Sequence, residues 1–234
     1  MIFPSLDRVK AIAPGYDIVP VYMEILSDVR TPISVLKALK QVSSHTYLLE
    51  SADNSNHWGR YSFLGYDPKI ELFCKNHKMT IKDGTTRTFE CSDPEAEIRN
   101  ILSQYKSPRL EELPTFTGGF VGYFACEYIR YIEPTLDFPT PDDDSAMVND
   151  VDLMLFDKVI AFDNYKNKIY LIANISTNDL ERNYNKAELE LKVLADLVVN
   201  GKEADVPKGI LKTEFTSEFT KDEFEAVVKK TQHY

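Results

Sequence analysis

The sequence predicts an α+β fold in which antiparallel β-sheets carry helices packed on their outer face. Three observations lead to this prediction. Successive short segments alternate between apolar and polar residues, which is typical of half-buried strands. The dipeptide Asp83-Gly84 is a strong signal for a tight turn between two of these segments. Other segments repeat apolar residues every three or four positions, as amphipathic helices do.

The strand segments follow one another closely, which favours antiparallel pairing. Tyr47–Ala52 and Trp58–Leu64 flank a polar turn and are predicted to form a hairpin. Leu153–Asp163 and Lys168–Ile175 alternate strongly around a turn and are predicted to form one long antiparallel hairpin. Further strands are predicted at Lys69–Cys74, Met79–Lys82 and Thr85–Glu90.

Cap signals and apolar spacing predict four helices. Thr31 and Asp93 each precede a proline, which places a capping side chain before a residue suited to the first helical position. Thr220 and Glu223 have capping-box spacing, and Gly201 is predicted to end the longest helix in a left-handed conformation. The apolar faces are expected at Val35, Leu39 and Val42; at Ile98, Ile101, Leu102 and Tyr105; at Leu180, Tyr184, Ala187, Leu191, Leu194 and Val198; and at Phe224, Val227 and Val228.

Three of the nine glycines in the chain lie between Gly118 and Gly122, in the segment FTGGFVGYFACEY. Glycines in a strand indicate a bulge or the close approach of another backbone or a ligand. No Lys-Ser or Lys-Thr pair follows them, so they do not form a phosphate-binding loop of the common type. We expect these glycines to pack against a part of the protein outside this chain.

Composition excludes several classes of function. The 234 residues carry a formal charge of −10, which argues against nucleic acid or an anionic membrane as a partner. The three cysteines are widely separated and the four histidines are isolated, so neither a disulfide framework nor a metal site is predicted. There is no secretory signal and no apolar run long enough to span a membrane. We therefore expect a cytoplasmic protein, and residue chemistry alone predicts no catalytic residue in this chain.

Several strings of the sequence, taken in order, resemble one enzyme family. They are PVYMEILSDVRTPISVLKAL (Pro20–Leu39), YLLESA (Tyr47–Ala52), WGRYSFLG (Trp58–Gly65), FTGGFVGYFACEYIRYIEP (Phe116–Pro134), LMLFDKVIAFDNYKNKIYLI (Leu153–Ile172) and FTKDEFEAVVKKTQHY (Phe219–Tyr234). Together they resemble the N-terminal region of anthranilate synthase component I. The resemblance extends over almost the whole chain.

The resemblance implies a part of a larger enzyme. The full-length family member adds ammonia to chorismate and eliminates pyruvate, and a partner glutamine amidotransferase supplies the ammonia. The resemblance assigns residues 1–215 to an N-terminal regulatory and scaffold domain, and residues 216–234 to the start of a helix leading into a C-terminal chorismate-binding domain. The Mg²⁺ site and the catalytic groups belong to that absent domain. This chain alone is therefore expected to be inactive and to bind no cofactor.

The resemblance also implies a regulatory site. The family's LLES motif contributes to the pocket for the feedback inhibitor L-tryptophan, and here it places Glu50 and Ser51 at that pocket. A carboxylate can accept hydrogen bonds from the ligand ammonium, and a hydroxyl or amide can bond its carboxylate. Arg60, Tyr61 and Ser62, on the neighbouring strand, are expected to support them. Strand alternation sends Glu50 and Ser51 to opposite faces unless a bulge intervenes.

Two other interpretations remain open. The chain also fits the N-terminal part of related chorismate enzymes, namely aminodeoxychorismate synthase component I or an isochorismate or salicylate synthase. It also fits a free-standing amino-acid-binding module that retains a regulatory pocket. The sequence beyond Tyr234 would separate the first interpretation from anthranilate synthase, because the resemblance places the product-determining residues there, and tight binding of L-tryptophan to this chain would favour the second.

Overall fold

The computed structural model describes residues 1–28, 30–50, 59–133, 135, 148–205 and 209–233. Internal contacts divide the chain into two units, Met1–Ala204 and Asp205–Tyr234. Among the described residues, no helix combines the length and the apolar character that crossing a membrane would require.

The first unit contains ten strands, five α-helices and a 3₁₀-helix, counted among the described residues. The strands are β1 (Ile18–Leu26), β2 (Thr46–Glu50), β3 (Tyr61–Tyr66), β4 (Ile70–Lys75), β5 (Lys78–Lys82), β6 (Thr86–Glu90), β7 (Gly119–Phe124), β8 (Val151–Phe156), β9 (Lys158–Asp163) and β10 (Lys168–Ser176). The helices are α1 (Leu6–Ile12), α2 (Pro32–Leu39), α3 (Pro94–Leu102), α4 (Ile129–Ile132) and α5 (Leu180–Asn200), with the 3₁₀-helix at Cys126–Tyr128.

The strands form two antiparallel five-stranded sheets. The first sheet has the order β1-β10-β9-β3-β2, and the second has the order β6-β5-β4-β8-β7. Every pairing in both sheets is antiparallel. With the surrounding helices this is an α+β fold, as the sequence predicts.

Apolar side chains cover both faces of the first sheet. On one face, Val21, Leu64, Ile160 and Phe162 pack with buried residues of α1, α2 and α5 in the largest core cluster. On the opposite face, Tyr22, Val159, Ala161, Tyr170 and Ile172 pack with Leu110 and Leu113 from the loop after α3. Burial of this apolar surface is the main source of stability for the sheet.

The second sheet is covered on one face by α3 and by the short helices after β7. Its buried cluster includes Leu72, Met79 and Leu153 of the sheet together with Ile98 and Ile101 of α3. The α3 helix begins as predicted, because the Asp93 side chain accepts a hydrogen bond from the Ala96 amide at 3.0 Å. Tyr128 and Tyr131 pack at the edge of the same cluster.

The second unit contains the helix α6 (Lys221–His233). Its predicted capping box is present, since the Thr220 amide donates to Glu223 Oε2 at 2.8 Å and the Glu223 amide donates to Thr220 Oγ1 at 3.4 Å. The predicted apolar residues Phe224, Val227 and Val228 are all exposed within the unit.

The predicted hairpin over Leu153–Asp163 and Lys168–Ile175 is wrong in its first arm. The chain breaks at Asp157, so that β8 joins the second sheet and β9 joins the first. Only β9 and β10 form the expected hairpin. Both halves of the apolar segment are buried, but they pair with different strands. The first half, β8, pairs with β4 and β7, and the second half, β9, pairs with β3 and β10.

Two local predictions about helix ends are also wrong. Gly201 follows α5 with φ −58°, which is not the left-handed conformation. Glycine is instead favoured there for a steric reason, because a Cβ at this position would overlap the carbonyl oxygen of Leu197. Val42 lies beyond the end of α2 and is exposed, whereas Val35 and Leu39 are buried as expected.

Arg30 holds the carboxyl end of α5. Its Nε donates to the Val199 carbonyl at 3.1 Å and its Nη2 donates to the Gly201 carbonyl at 2.8 Å. A cation at this end of a helix also interacts favourably with the helix dipole. We expect Arg30→Met to lower the free energy of unfolding by about 1–2 kcal/mol, measured by urea unfolding followed by circular dichroism.

Arg182→Met is the matched control, because Arg182 is highly exposed and pairs across one turn with Asp179 at 3.6 Å. It should change stability by less than about 0.5 kcal/mol. Equal losses in the two variants would contradict a capping role for Arg30.

Candidate functional site

Glu50 and Ser62 are directly opposite each other on neighbouring strands. Glu50 is the last residue of β2 and pairs with Ser62 of β3. Side chains at paired positions of antiparallel strands lie on the same face. Ser62 Oγ donates a long hydrogen bond of 3.5 Å to Glu50 Oε1. The structure therefore brings together two of the residues predicted for the site.

Ser62 is buried, whereas Glu50 is exposed. Ser62 Oγ also accepts from Nδ2 of Asn164 at 3.4 Å, so it is held from two sides. Phe162 of β9 pairs with Ser62 on its other side and belongs to the main core. The hydroxyl is thus fixed on a rigid strand, and the Glu50 carboxylate extends from it towards solvent.

Arg60 is bound to a buried carboxylate at the end of β9. Its Nε donates to Asp163 Oδ1 at 3.0 Å and its Nη2 donates to Oδ2 at 2.6 Å. Asp163 Oδ1 also accepts from the amides of Tyr165 and Lys166 at 3.1 and 3.0 Å. This two-pronged geometry is the strong form of an arginine–carboxylate contact.

The pKa of Asp163 follows from these contacts. Complete burial opposes ionisation, but the hydrogen bonds from Arg60 and from the Lys166 and Tyr165 amides outweigh it and lower the pKa below its ordinary value. The Arg60 guanidinium has its pKa raised, chiefly by the hydrogen bond to Asp163. Arg60 therefore acts here as a support of the turn beside Ser62.

Tyr61 lies on the other face of the sheet. It precedes Ser62 in β3, and its ring is 5.8 Å from that of Phe63, whose side chain packs with the cluster opposite α5. The Arg60 guanidinium lies 4.8 Å from the Tyr61 ring centroid, which is the distance of a cation–π contact. Burial is the main reason that the pKa of the Tyr61 hydroxyl is raised. Tyr61 also interacts directly with Asp163, its partner in the pairing of β3 with β9, and the Asp163 charge and hydrogen bond raise the pKa further.

Ser51, the second residue predicted to contact the ligand, lies outside the described residues, as do the turn Asp53–His57 and Trp58. Its position relative to Glu50 stays a prediction.

The described residues of the candidate site, Glu50 and Ser62, could bind a cation of the ammonium type. Glu50 offers an exposed carboxylate on a fixed strand end, and the Ser62 hydroxyl beside it can accept a further hydrogen bond. The group is poor at binding a metal ion, because among the described residues there is no cluster of three or more His, Cys, Asp or Glu side chains that could hold one. The described residues therefore do not fit a Mg²⁺ site.

Sequence reasoning did not identify Asp163 and Asn164 as parts of this group. Both lie at the start of the turn between β9 and β10, about a hundred positions from Arg60 and Ser62. The turn itself was predicted, but its contact with β3 depends on the long-range pairing of β3 with β9. An acidic residue directly after an apolar strand was the available signal.

The family model described as chorismate binding enzyme matches residues 45–234. The chain belongs to the chorismate binding enzyme family. Because the matched region begins just before β2, it includes Glu50, Arg60, Ser62 and the β9–β10 turn.

Curated members similar to this chain are anthranilate synthase component 1 proteins. The protein from Acinetobacter calcoaceticus is 39% identical over 189 residues, which cover 79% of this chain and 37% of that protein. The protein from Acetivibrio thermocellus is 33% identical over 244 residues, which cover 100% of this chain and 48% of that protein. The resemblance noted from the sequence is thus confirmed.

Among solved structures, the crystal structure of anthranilate synthase component I from Streptococcus pneumoniae TIGR4 matches with a TM-score of 0.49 and 24% sequence identity. The match covers 89% of this chain and 44% of that chain. The present chain spans about half, or less, of the length of these chorismate binding enzymes.

Proposed function

We propose that this chain is the N-terminal segment of an anthranilate synthase component I. In the whole protein, chorismate and ammonia are converted to anthranilate and pyruvate in tryptophan biosynthesis. The observation that carries this proposal is the similarity over the full length of the chain to proteins named anthranilate synthase component 1, of which it spans about half. By itself, the segment scaffolds and regulates but does not catalyse.

The same proposal assigns the partners of the segment. A C-terminal chorismate-binding domain would complete the enzyme and supply the Mg²⁺ site, and a glutamine amidotransferase would supply the ammonia. The described residues offer no cluster suited to a metal ion, so we place that site outside them. The boundary between the regulatory domain and the start of the second domain is proposed at residues 215 and 216. We propose the cytoplasm as the location of the enzyme.

Turnover assays test the catalytic part of the proposal. The protein expressed from its complete reading frame and the 234-residue chain alone are each incubated with chorismate, ammonia and Mg²⁺. Anthranilate fluorescence is expected from the first and not from the second. Formation of aminodeoxychorismate, isochorismate or salicylate by the longer protein would assign it to a related enzyme instead. Turnover by the 234-residue chain would contradict the proposal that this segment does not catalyse.

The regulatory part of the proposal places L-tryptophan at Glu50 and Ser51. The exposed Glu50 carboxylate, fixed opposite Ser62, would accept hydrogen bonds from the ligand ammonium, and Ser51 would bond the ligand carboxylate. Arg60 and Ser62 would keep the strand end in place, since Arg60 is anchored to the turn after β9. A hydrogen bond to a charged group contributes about 1.5–3 kcal/mol.

For the complete protein, we expect Glu50→Gln to weaken inhibition by L-tryptophan about ten-fold or more, because the loss of a charged partner corresponds to at least one decade in affinity. Ser51→Phe is expected to abolish inhibition while turnover is largely kept, since a ring would fill the ligand site. The measurement is anthranilate formation against tryptophan concentration.

Glu90→Gln is the control for the charge change, because Glu90 is an exposed glutamate at the end of β6. Its inhibition curve should match that of the unchanged protein. If Glu50→Gln and Ser51→Phe were inhibited like the control, the pocket would have to lie elsewhere. Tight binding of tryptophan to the 234-residue chain alone would instead favour a free-standing amino-acid-binding module.

A further inference from the structure

A second cleft lies where the chain passes from one sheet to the other. At Asp157 the backbone leaves β8 and enters β9, and a cleft with a volume of about 110 Å³ opens beside this crossover. A more polar hollow adjoins it, and Lys69, Asp157 and Asn174 line both.

Lys69 places an ammonium group in the cleft without a carboxylate partner. Within the described part of the chain, its side chain forms no ion pair, and its Nζ lies 5.3 Å from the centroid of the Tyr105 ring. The backbone of Lys69 is fixed, because its amide donates to the Leu155 carbonyl at 2.7 Å. The Lys69 ammonium is therefore held at the cleft wall and remains available to a ligand.

Asp157 places the opposite charge in the same cleft. Its carboxylate forms no ion pair with any described residue, although the Lys158 and Lys69 charges act on it from a distance. Burial is the main cause of a raised pKa for this group, and the lysines only reduce the effect. A partly buried carboxylate without a direct cationic partner is costly to maintain unless a ligand supplies one.

The polar wall between the two charges is rigid. Asn174 Nδ2 donates to the carbonyl oxygens of Thr117 and Asp157 at 2.7 and 3.1 Å. The Asn174 amide also donates to the Asp157 carbonyl at 2.9 Å. Gly118 leaves room for the Asn174 side chain, because a Cβ there would lie 2.6 Å from Nδ2. The crossover is thus fixed by hydrogen bonds that do not involve the Asp157 carboxylate or the Lys69 ammonium.

The remaining wall of the cleft is mostly apolar. Leu102 and Tyr105 contribute from the end of α3 and the residues after it, and Leu155 and Phe156 contribute from the end of β8. We infer that this cleft binds a free amino acid with an apolar side chain. The ligand carboxylate would meet Lys69, the ammonium would meet Asp157, and the side chain would contact the apolar wall.

A zwitterion explains both charges, whereas a simple carboxylic acid or amine leaves one of them without a partner. Lys69 and Asp157 line one cleft, yet they do not pair with each other within the described residues. A ligand that carries both charges a few ångströms apart fits between them. This site lies beyond the proposed regulatory pocket, since Asp157 directly precedes β9 and Asp163 is its last residue, about 20 Å away for an extended strand.

The test uses the 234-residue chain, ¹⁵N-labelled, titrated with L-phenylalanine up to 20 mM and followed by NMR. We expect saturable shifts of the Gly118 and Gly119 amides, which line the cleft. The two matched probes are 3-phenylpropionate, which lacks the ammonium, and phenethylamine, which lacks the carboxylate. Each is expected to bind at least ten-fold more weakly, because one charged contact is lost.

Variants assign the two ends of the ligand. Lys69→Met and Asp157→Asn should each weaken L-phenylalanine binding at least ten-fold, while Lys78→Met, at an exposed position in β5, should not change it. Lys69→Met should also remove the preference for L-phenylalanine over phenethylamine. Glu50→Gln should leave these shifts unchanged, which separates this site from the proposed regulatory pocket.

Three outcomes would overturn the inference. One is the absence of saturable shifts at Gly118 and Gly119 up to 20 mM. Another is equal binding of the three probes, which would indicate a merely apolar cleft. The third is unchanged binding in Lys69→Met and Asp157→Asn, with folding verified by circular dichroism. If either variant fails to fold, the comparison of L-phenylalanine, 3-phenylpropionate and phenethylamine on the unchanged chain decides whether the inference holds.

Discussion

Replacing Asp163 by alanine is expected to lower the free energy of unfolding by about 3–5 kcal/mol, because it leaves Arg60 and two backbone amides without their acceptor in the interior. Asp163 is completely buried and accepts from both Arg60 nitrogens and from the amides of Tyr165 and Lys166. The turn between β9 and β10 and the start of β3 depend on this one carboxylate. Urea unfolding followed by circular dichroism measures the loss.

Asp83→Ala is the matched control, because Asp83 also sits in a hairpin turn but is partly exposed and pairs with Arg87 at 3.6 Å. Its effect should stay below about 1 kcal/mol. Arg60→Met should be nearly as damaging as Asp163→Ala, since it leaves a buried carboxylate without its cation. A loss below about 1 kcal/mol for Asp163→Ala would mean that the turn is held mainly by its backbone.

The stability that Asp163 contributes also depends on pH. Its pKa is lowered in the folded state, so the contribution is fully present above the unfolded-state pKa of about 3.9 and is lost as the pH falls towards the lower folded value. The stability difference between the unchanged chain and Asp163→Asn should therefore be largest above about pH 5 and should narrow below about pH 4. A constant difference would indicate that ionisation of Asp163 is not involved.

Local patterns in the sequence predict the elements of this fold better than their partners. The Asp93-Pro94 and Thr31-Pro32 signals do begin α3 and α2, and Asp83-Gly84 does join β5 to β6. These features are determined by neighbouring residues, whose conformations and caps depend on short-range contacts. By contrast, pattern does not predict α1 and β1, because proline and charge interrupt their apolar spacing.

The crossover at Asp157 illustrates the limit of local patterns. Apolar residues continue on both sides of it, so alternation alone predicts one long strand over 153–163. The break is determined by pairing with β4 and β7 on one side and with β3 and β10 on the other. Such long-range pairing is not encoded in any short window of sequence.

In the candidate site too, local features follow from the sequence and long-range contacts do not. The hairpin of Tyr47–Ala52 with Trp58–Leu64 was predicted, and with it the neighbourhood of Glu50 and Ser62. The support from Asp163 and Asn164 was missed, because it arrives through the pairing of β3 with β9. The prediction that the glycines of the segment 118–122 pack against a part of the protein outside this chain is wrong for Gly122, because its close neighbour is β8 of this same chain.

Gly122→Ala is expected to lower the free energy of unfolding by about 3 kcal/mol, near the upper end for overpacking of a well-packed region. Gly122 lies in β7 and pairs with Leu153 of β8. A Cβ at this position would overlap the carbonyl oxygen of Asp152 and would also lie 2.9 Å from the Leu153 Cα. Both obstacles are backbone atoms, so no side chain can turn away to make room.

The strand itself must therefore move, and β8 cannot follow easily because it is paired with β4 on its other edge. We expect β7 to separate from β8, with loss of amide-exchange protection in Gly119–Phe124 measured by hydrogen exchange. Gly209→Ala makes the same chemical change where nothing lies within 4 Å of the added Cβ, and it should leave stability and protection unchanged. Equal stability in the two variants would mean that β7 tolerates displacement. The close contact with β8 would then not be the reason for glycine at position 122.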